Sequence, residues 1–199
     1  LFNARNLAMA TLASVLSQCL DAGDISGEED LNPFASAHLP DFAECAGVKR
    51  RQEILHESEE LVVLSDFAHH PTAIAGALES LHARWPGREI IACFEPRSNT
   101  AVTNVFEDRF ADALAVADVA ILGAVHRAEK IPPDQRINPA NMIRRIEGQG
   151  KQGHAFSTNL DLESFLLEME INQPSLVVFF SNGSFDGVIG RFADAIKKR

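Results

Sequence analysis

The sequence predicts an α/β fold built on a doubly wound, mostly parallel sheet, preceded by a helical segment. Three observations predict it. From residue 61 onward, short apolar runs alternate with stretches of helical period in five successive pairs. The runs "LVVLSDF", "EIIACFE", "DVAILGAV" and "SLVVFFS" are near-continuously apolar, the mark of strands covered on both faces. Each run ends in a polar loop, and sheets of this kind bind ligands beyond the carboxyl ends of their strands.

The elements follow in order. In "NARNLAMATLASVLSQCL" the positions Leu7, Ala8, Thr11, Leu12, Val15, Leu16, Cys19 and Leu20 keep helical spacing, with Asn3 as the N-cap. Residues 21–47, with "AGDISGEEDLNP" and Pro40, read as an acidic connection carrying short helices at 34–37 and 42–45. A boundary is expected there, which gives domains at 1–47 and 48–199. "RQEILHESEELVVLSDF" offers two extended runs around a polar "ESE", a hairpin. Core strands are then expected at 61–67, 89–95, 118–125, 154–157 and 175–181, followed respectively by helices at 71–84, 104–116, 139–148, 159–169 and 185–198.

Composition narrows the function. A chain of 199 residues holds one full domain and part of a second. A hydrophobic fraction of 46% suits a globular protein, and no apolar run approaches the roughly 20 residues that span a bilayer, so no membrane partner is expected. With 28 acidic against 18 basic side chains, the charge of −10 repels a phosphate backbone, and no nucleic acid partner is expected. Cys19, Cys45 and Cys93 are odd in number and widely spaced, which fits reduced thiols and a cytoplasmic location. The opening Leu1 leads directly into a helical pattern, as expected of a piece of a longer protein.

Four post-strand loops are candidate sites: "DFAHHP", "EPRSNT", "HRAEKIPPDQRINP" and "SNGSFDG". Pro71 suits the first turn of a helix, so Asp66 to His70 form the turn before it, where the helix dipole favours an anion. There Asp66 can accept from ribose hydroxyls, and His69 and His70 can donate to an anion or move a proton. The bland alternative makes Asp66 a helix cap and the histidines ordinary turn residues. Arg97 offers a fork for a carboxylate, or is a solvated charge. The glycines of "SNGSFDG" admit a ligand close to the backbone, or mark a plain turn capped by Ser184. No third ligand joins the two histidines at metal spacing.

Absent motifs also speak. The 199 residues hold no G-x-x-x-x-G-K-[ST] loop, no G-x-G-x-x-G after a strand and no G-x-S-x-G elbow. "GVKRR", Gly47 to Arg51, gathers three cations at the expected boundary, either a solvated face or a group reaching a phosphate.

Taken in order, "NARNLAMA", "GVKRRQE", "SDFAHHPTAI", "FEPRSNT" and "SNGSFDG" resemble the Mur ligase family. The resemblance runs from the last helix of that family's central ATPase domain through its Rossmann-like C-terminal domain. It implies an ATP-dependent amide ligase that joins the tripeptide L-Ala-γ-D-Glu-meso-diaminopimelate to UDP-N-acetylmuramate in peptidoglycan recycling. The reaction would pass through an acyl phosphate, with Mg2+ neutralising the phosphates. Ligation of free L-alanine is the alternative within the family. A non-catalytic, doubly wound anion-binding module is the alternative outside it.

By resemblance, Asn3 and Asn6 match the pair near the adenine and Asp66 the carboxylate that holds the ribose. Arg51, which approaches the terminal phosphate, and His69 take catalytic roles. His70, Arg97, Ser98, Asn99, Asn182 and Ser184 match places that meet the incoming amino acid or peptide. Phe2 replaces the family's usual histidine before the first asparagine. The diaminopimelate-adding member's "DNPR" box is absent, and its place falls near "HRAEKIPPDQRINP", where His126, Arg127 and Lys130 are candidates for a distal carboxylate. The expected partners include the N-terminal and central domains of the same protein, and without them the fragment is expected to be inactive.

Overall fold

The computed structural model describes residues 49–198. The chain divides into two units, Leu1–Gly47 and Val48–Arg199, and the second carries the sheet. The expected N-terminal helix, the connection at 21–47, Asn3 and Asn6 lie outside the described residues.

Six strands form one sheet: β1 (Glu53–Glu57), β2 (Leu61–Asp66), β3 (Glu89–Phe94), β4 (Val119–Leu122), β5 (Gln152–Ala155) and β6 (Ser175–Phe180). Their spatial order is β1-β2-β6-β3-β4-β5. Only the β1–β2 hairpin is antiparallel; every other pair is parallel. The helices are α1 (Pro71–Arg84), α2 (Glu107–Leu114), α3 (Pro139–Glu147), α4 (Asn159–Glu168) and α5 (Val188–Ile196). The predicted fold class and all five strand-helix pairs are present.

Two cores explain the winding. A strand sends successive side chains to opposite faces, so Val62, Leu64, Ala92, Phe94, Val178 and Phe180 pack on one side with Leu78 of α1, Phe110 of α2 and Ile146 of α3. Leu61, Val63, Cys93, Val177 and Phe179 face the other way, against Leu162 of α4 and Phe192 of α5. Phe94 stacks on Phe110 with ring centroids 4.9 Å apart. Each fully buried side chain of this size contributes about 1.5–3 kcal/mol, so the layers hold without a disulfide. Cys93 is a free thiol, and burial pushes its pKa up, which removes it as a nucleophile.

Three elements start two or more residues from where they are expected. The helix expected at 104–116 opens with a 3-10 turn, Asn104–Phe106, before α2. The helix expected at 185–198 opens with another, Phe185–Gly187, where Phe185, Asp186 and Gly187 have φ of 50°, 52° and 85°. Left-handed backbone cannot continue an α-helix, so α5 starts only at Val188. Strand β5 begins at Gln152 rather than 154, because backbone pairing with Val119 extends the edge beyond its apolar signal.

Winding places the site. The chain steps from β2 across to β3, continues outward to β5, then returns to insert β6 between β2 and β3. Asp66, Phe180 and Phe94 stand in register at the carboxyl ends of these neighbours. The loops "DFAHHP", "SNGSFDG" and "EPRSNT" therefore leave the sheet side by side. No helix among the described residues is long and apolar enough to cross a membrane.

Candidate functional site

The loop after β2 is organised by its own polar groups. Asp66 is 5% exposed, and its carboxylate accepts from the backbone N–H of Ala68 at 2.7 Å and of Gln52 at 3.0 Å. Burial raises its pKa, opposed by those two N–H bonds and the charge of Arg51. Asp66 thus ties the start of β1 to the end of β2, a task the sequence did not announce. It leaves the start of α1 uncapped: His70 is the N-cap residue and makes no side-chain capping bond. One lone pair on each oxygen is spent on backbone, and what remains for a ribose hydroxyl is limited by burial.

Phe67 anchors the cations around this turn. The guanidinium carbons of Arg50 and Arg51 lie 5.2 and 5.3 Å from its ring centroid, and the His69 ring meets it edge-on at 5.2 Å. His69 Nδ1 bonds the Phe67 carbonyl at 2.9 Å. A carbonyl only accepts, so Nδ1 carries a proton, and in the neutral ring Nε2 is the basic nitrogen. His70 is exposed and lies edge-on to Phe106 at 5.4 Å.

The loop after β3 opens outward. Arg97, Ser98, Asn99 and Asn182 line a pocket of about 670 Å³ with His126, Arg127 and Lys130, and no acidic side chain among the described residues lines it. In a chain of net charge −10, this concentration of bases marks the pocket for an anion. Ser98 shapes the rim, its Oγ accepting from Ala101 N at 3.2 Å. Arg127 is held at φ 51°, which turns the chain into the 3-10 turn Ala128–Lys130. Ser184 lies apart: it lines a neighbouring groove with Arg50, is exposed, and makes no capping bond.

Sequence reasoning missed Glu95. It is 2% exposed, and its carboxylate accepts from Ser181 Oγ at 2.5 Å, Phe185 N at 3.3 Å, Asn159 Nδ2 at 3.4 Å and Arg97 at 3.4 Å. Asn159, also buried, accepts from Ala124 N at 3.0 Å and donates to Asp186 at 2.8 Å. One carboxylate thus joins the loops after β3, β5 and β6, and reaches the loop after β4 through Asn159. Its local signal was an acid closing an apolar strand before Pro96; its partners lie up to 90 residues away along the chain. Among the described residues no group of three or more His, Cys, Asp or Glu is placed to hold a metal ion.

The arrangement presents bases, an anchored histidine and a partly exposed guanidinium fork at the carboxyl end of the sheet. Comparison with known proteins names the lineage. The family model for the Mur ligase glutamate ligase domain matches residues 50–183. The chain belongs to the Mur ligase family. It is 32% identical over 150 residues to the UDP-N-acetylmuramate--L-alanyl-gamma-D-glutamyl-meso-2,6-diaminoheptandioate ligase of Haemophilus influenzae, covering 75% of this chain and 31% of that protein. It is 30% identical over 102 residues to the UDP-N-acetylmuramate--L-alanine ligase of Magnetococcus marinus, covering 51% of this chain and 21% of that one. A murein peptide ligase from Psychrobacter arcticus shares the fold at a TM-score of 0.61 and 25% identity, over 77% of this chain and 31% of that chain. This Mur ligase chain therefore spans less than a third of the length of these relatives.

Proposed function

We propose that the full-length protein is an ATP-dependent amide ligase joining the tripeptide L-Ala-γ-D-Glu-meso-diaminopimelate to UDP-N-acetylmuramate, and that residues 48–199 receive the peptide. The observation that carries this reading is the basic pocket at Arg97. Its volume of about 670 Å³ exceeds what a single alanine needs, and its bases answer the several carboxylates of the tripeptide. In this scheme Arg97 takes a carboxylate through its fork, and Arg127 and Lys130 take the distal one.

The amine must lose a proton before it attacks an acyl phosphate. His69 Nε2 is the base proposed for that step, its tautomer set by the bond from Nδ1 to Phe67. Arg51 would face the terminal phosphate and Asp66 the ribose through its remaining lone pairs. ATP supplies the activating phosphoryl group, and Mg2+ would arrive with its phosphates, since the described residues offer no cluster of their own. The remaining machinery belongs to the central and UDP-sugar domains, so residues 1–199 alone are proposed to be inactive. Ligation of free L-alanine is the second reading, favoured by the likeness to the Magnetococcus enzyme.

The test is ATP hydrolysis by the full-length protein with UDP-N-acetylmuramate, with and without tripeptide, in wild type and Arg97→Ala. The expected result is tripeptide-stimulated turnover whose kcat/KM falls about 100-fold in the variant, as losing a bidentate charged contact implies. Stimulation by L-alanine alone moves the assignment to the second reading. No turnover with either amine leaves a binding module.

A further inference from the structure

We propose that Glu95 and Gly183 are positioning residues that hold the Arg97 guanidinium in the pocket, so that the Ser181–Gly183 turn sets the affinity for the amine substrate. This rests on the reading of that pocket as the amine-substrate site. Two independent observations carry it. The first is charge. Arg97 is paired with Glu95 at 3.4 Å, and the Glu95 side chain is 1% exposed against 28% for Arg97. The anchor is buried while the fork stays accessible. Glu95 also fixes the turn itself, because Ser181 Oγ donates to Glu95 at 2.5 Å and accepts from Gly183 N at 2.7 Å.

The second observation is steric. A Cβ at Gly183 would overlap Cδ, Nε and Cζ of Arg97, so the arginine lies flat against glycine backbone. The same turn is also held by Arg50, whose Nη2 donates to the carbonyls of Ser181, at 2.6 Å, and Gly183. The turn is therefore tied by hydrogen bonds to Arg50 and packed against Arg97, which limits its retreat. Gly183 is not among the residues with positive φ, so its backbone accepts an L side chain. The nearest atoms that a methyl group there would meet all belong to Arg97.

Gly183→Ala and Glu95→Gln in the full-length protein test this. For Gly183→Ala, the tripeptide KM is expected to rise about tenfold or more while kcat, the KM for ATP and the thermal midpoint stay near wild type. In the double variant Arg97→Ala/Gly183→Ala the loss is expected to equal that of Arg97→Ala alone, since both remove one interaction. Glu95→Gln, which keeps the volume and removes the charge, is expected to raise the same KM severalfold. An unchanged KM in Gly183→Ala, or additive losses in the double variant, overturns the proposal. A separate readout is the Arg97 Nε–H resonance, identified by its loss in Arg97→Lys. It is expected to be resolved in wild type and averaged in Gly183→Ala. If the wild type turns over no amine, the ligase reading falls and the resonance still decides the positioning.

Discussion

The loops after β2 and β3 leave neighbouring regions of one sheet edge and use their polar groups in opposite ways. In residues 66–71, Asp66 is spent on two backbone N–H groups and His69 on the Phe67 carbonyl, so most of the turn's hydrogen bonding closes on itself. In residues 95–100 the labour is divided: Glu95 goes inward to four partners, and Arg97 is left facing a basic pocket. The crowded histidines draw the eye in the sequence, yet the sparser loop presents the more available charge. Counting which polar groups are already satisfied separates architecture from chemistry better than residue type does.

The largest effect that tests this division is at Glu95. Truncation by Glu95→Ala leaves the Ser181 hydroxyl, the Phe185 N–H and the Asn159 amide without their buried acceptor. Each stranded donor costs about 1 kcal/mol or more, so a loss of about 3 kcal/mol is expected in urea unfolding. Arg97→Ala, by contrast, is expected to cost only about 1 kcal/mol, because the Arg97 side chain is itself partly exposed and the Glu95 carboxylate keeps its three other donors. Equal losses at both positions would break the contrast within the loop.

That contrast also marks what the sequence could reveal. The strand-helix alternation was legible because buried parallel strands leave uninterrupted apolar runs such as "SLVVFF", and Pro71 announced α1. The post-strand loops were legible as candidate sites by topology alone. The insertion of β6 between β2 and β3 was not, since strand order is set by packing among distant elements. Glu95 escaped for the same reason: a terminal acid on a strand usually faces solvent, and only the returning β6 and α4 bury it. The packing of Gly183 against Arg97 and its bond to Arg50 likewise exist only in three dimensions.

An effect of intermediate size sharpens the other side of the comparison. Burial raises the pKa of Asp66 above its ordinary 3.8. Between 3.8 and the raised value, the folded state holds a proton that the unfolded chain has released, so stability falls as pH rises through that window and is level above it. Asp112 behaves oppositely: its bond to Arg145 lowers its pKa, adding stability that is lost as pH falls through the lowered value. Asp66→Asn removes the first slope and keeps the second. It is expected to cost about 1 kcal/mol at neutral pH, since an amide can accept from only one of the two N–H groups with its oxygen. Urea midpoints measured across the acidic range check both. A variant that keeps the wild-type slope would assign the titration to another group.

The smallest effect is expected at His70, where stability and substrate contact separate most cleanly. The ring is exposed, makes no capping bond, and its ring contact is with Phe106 at 5.4 Å. His70→Ala should therefore shift the unfolding midpoint by no more than about 0.5 kcal/mol equivalent. With the fold unmoved, a tripeptide KM raised by about threefold would report a direct contact between the imidazole and the peptide. An unchanged KM would make His70 a spectator, leaving His69 as the histidine of this turn with a chemical part to test and the pocket at Arg97 as the proposed seat of recognition.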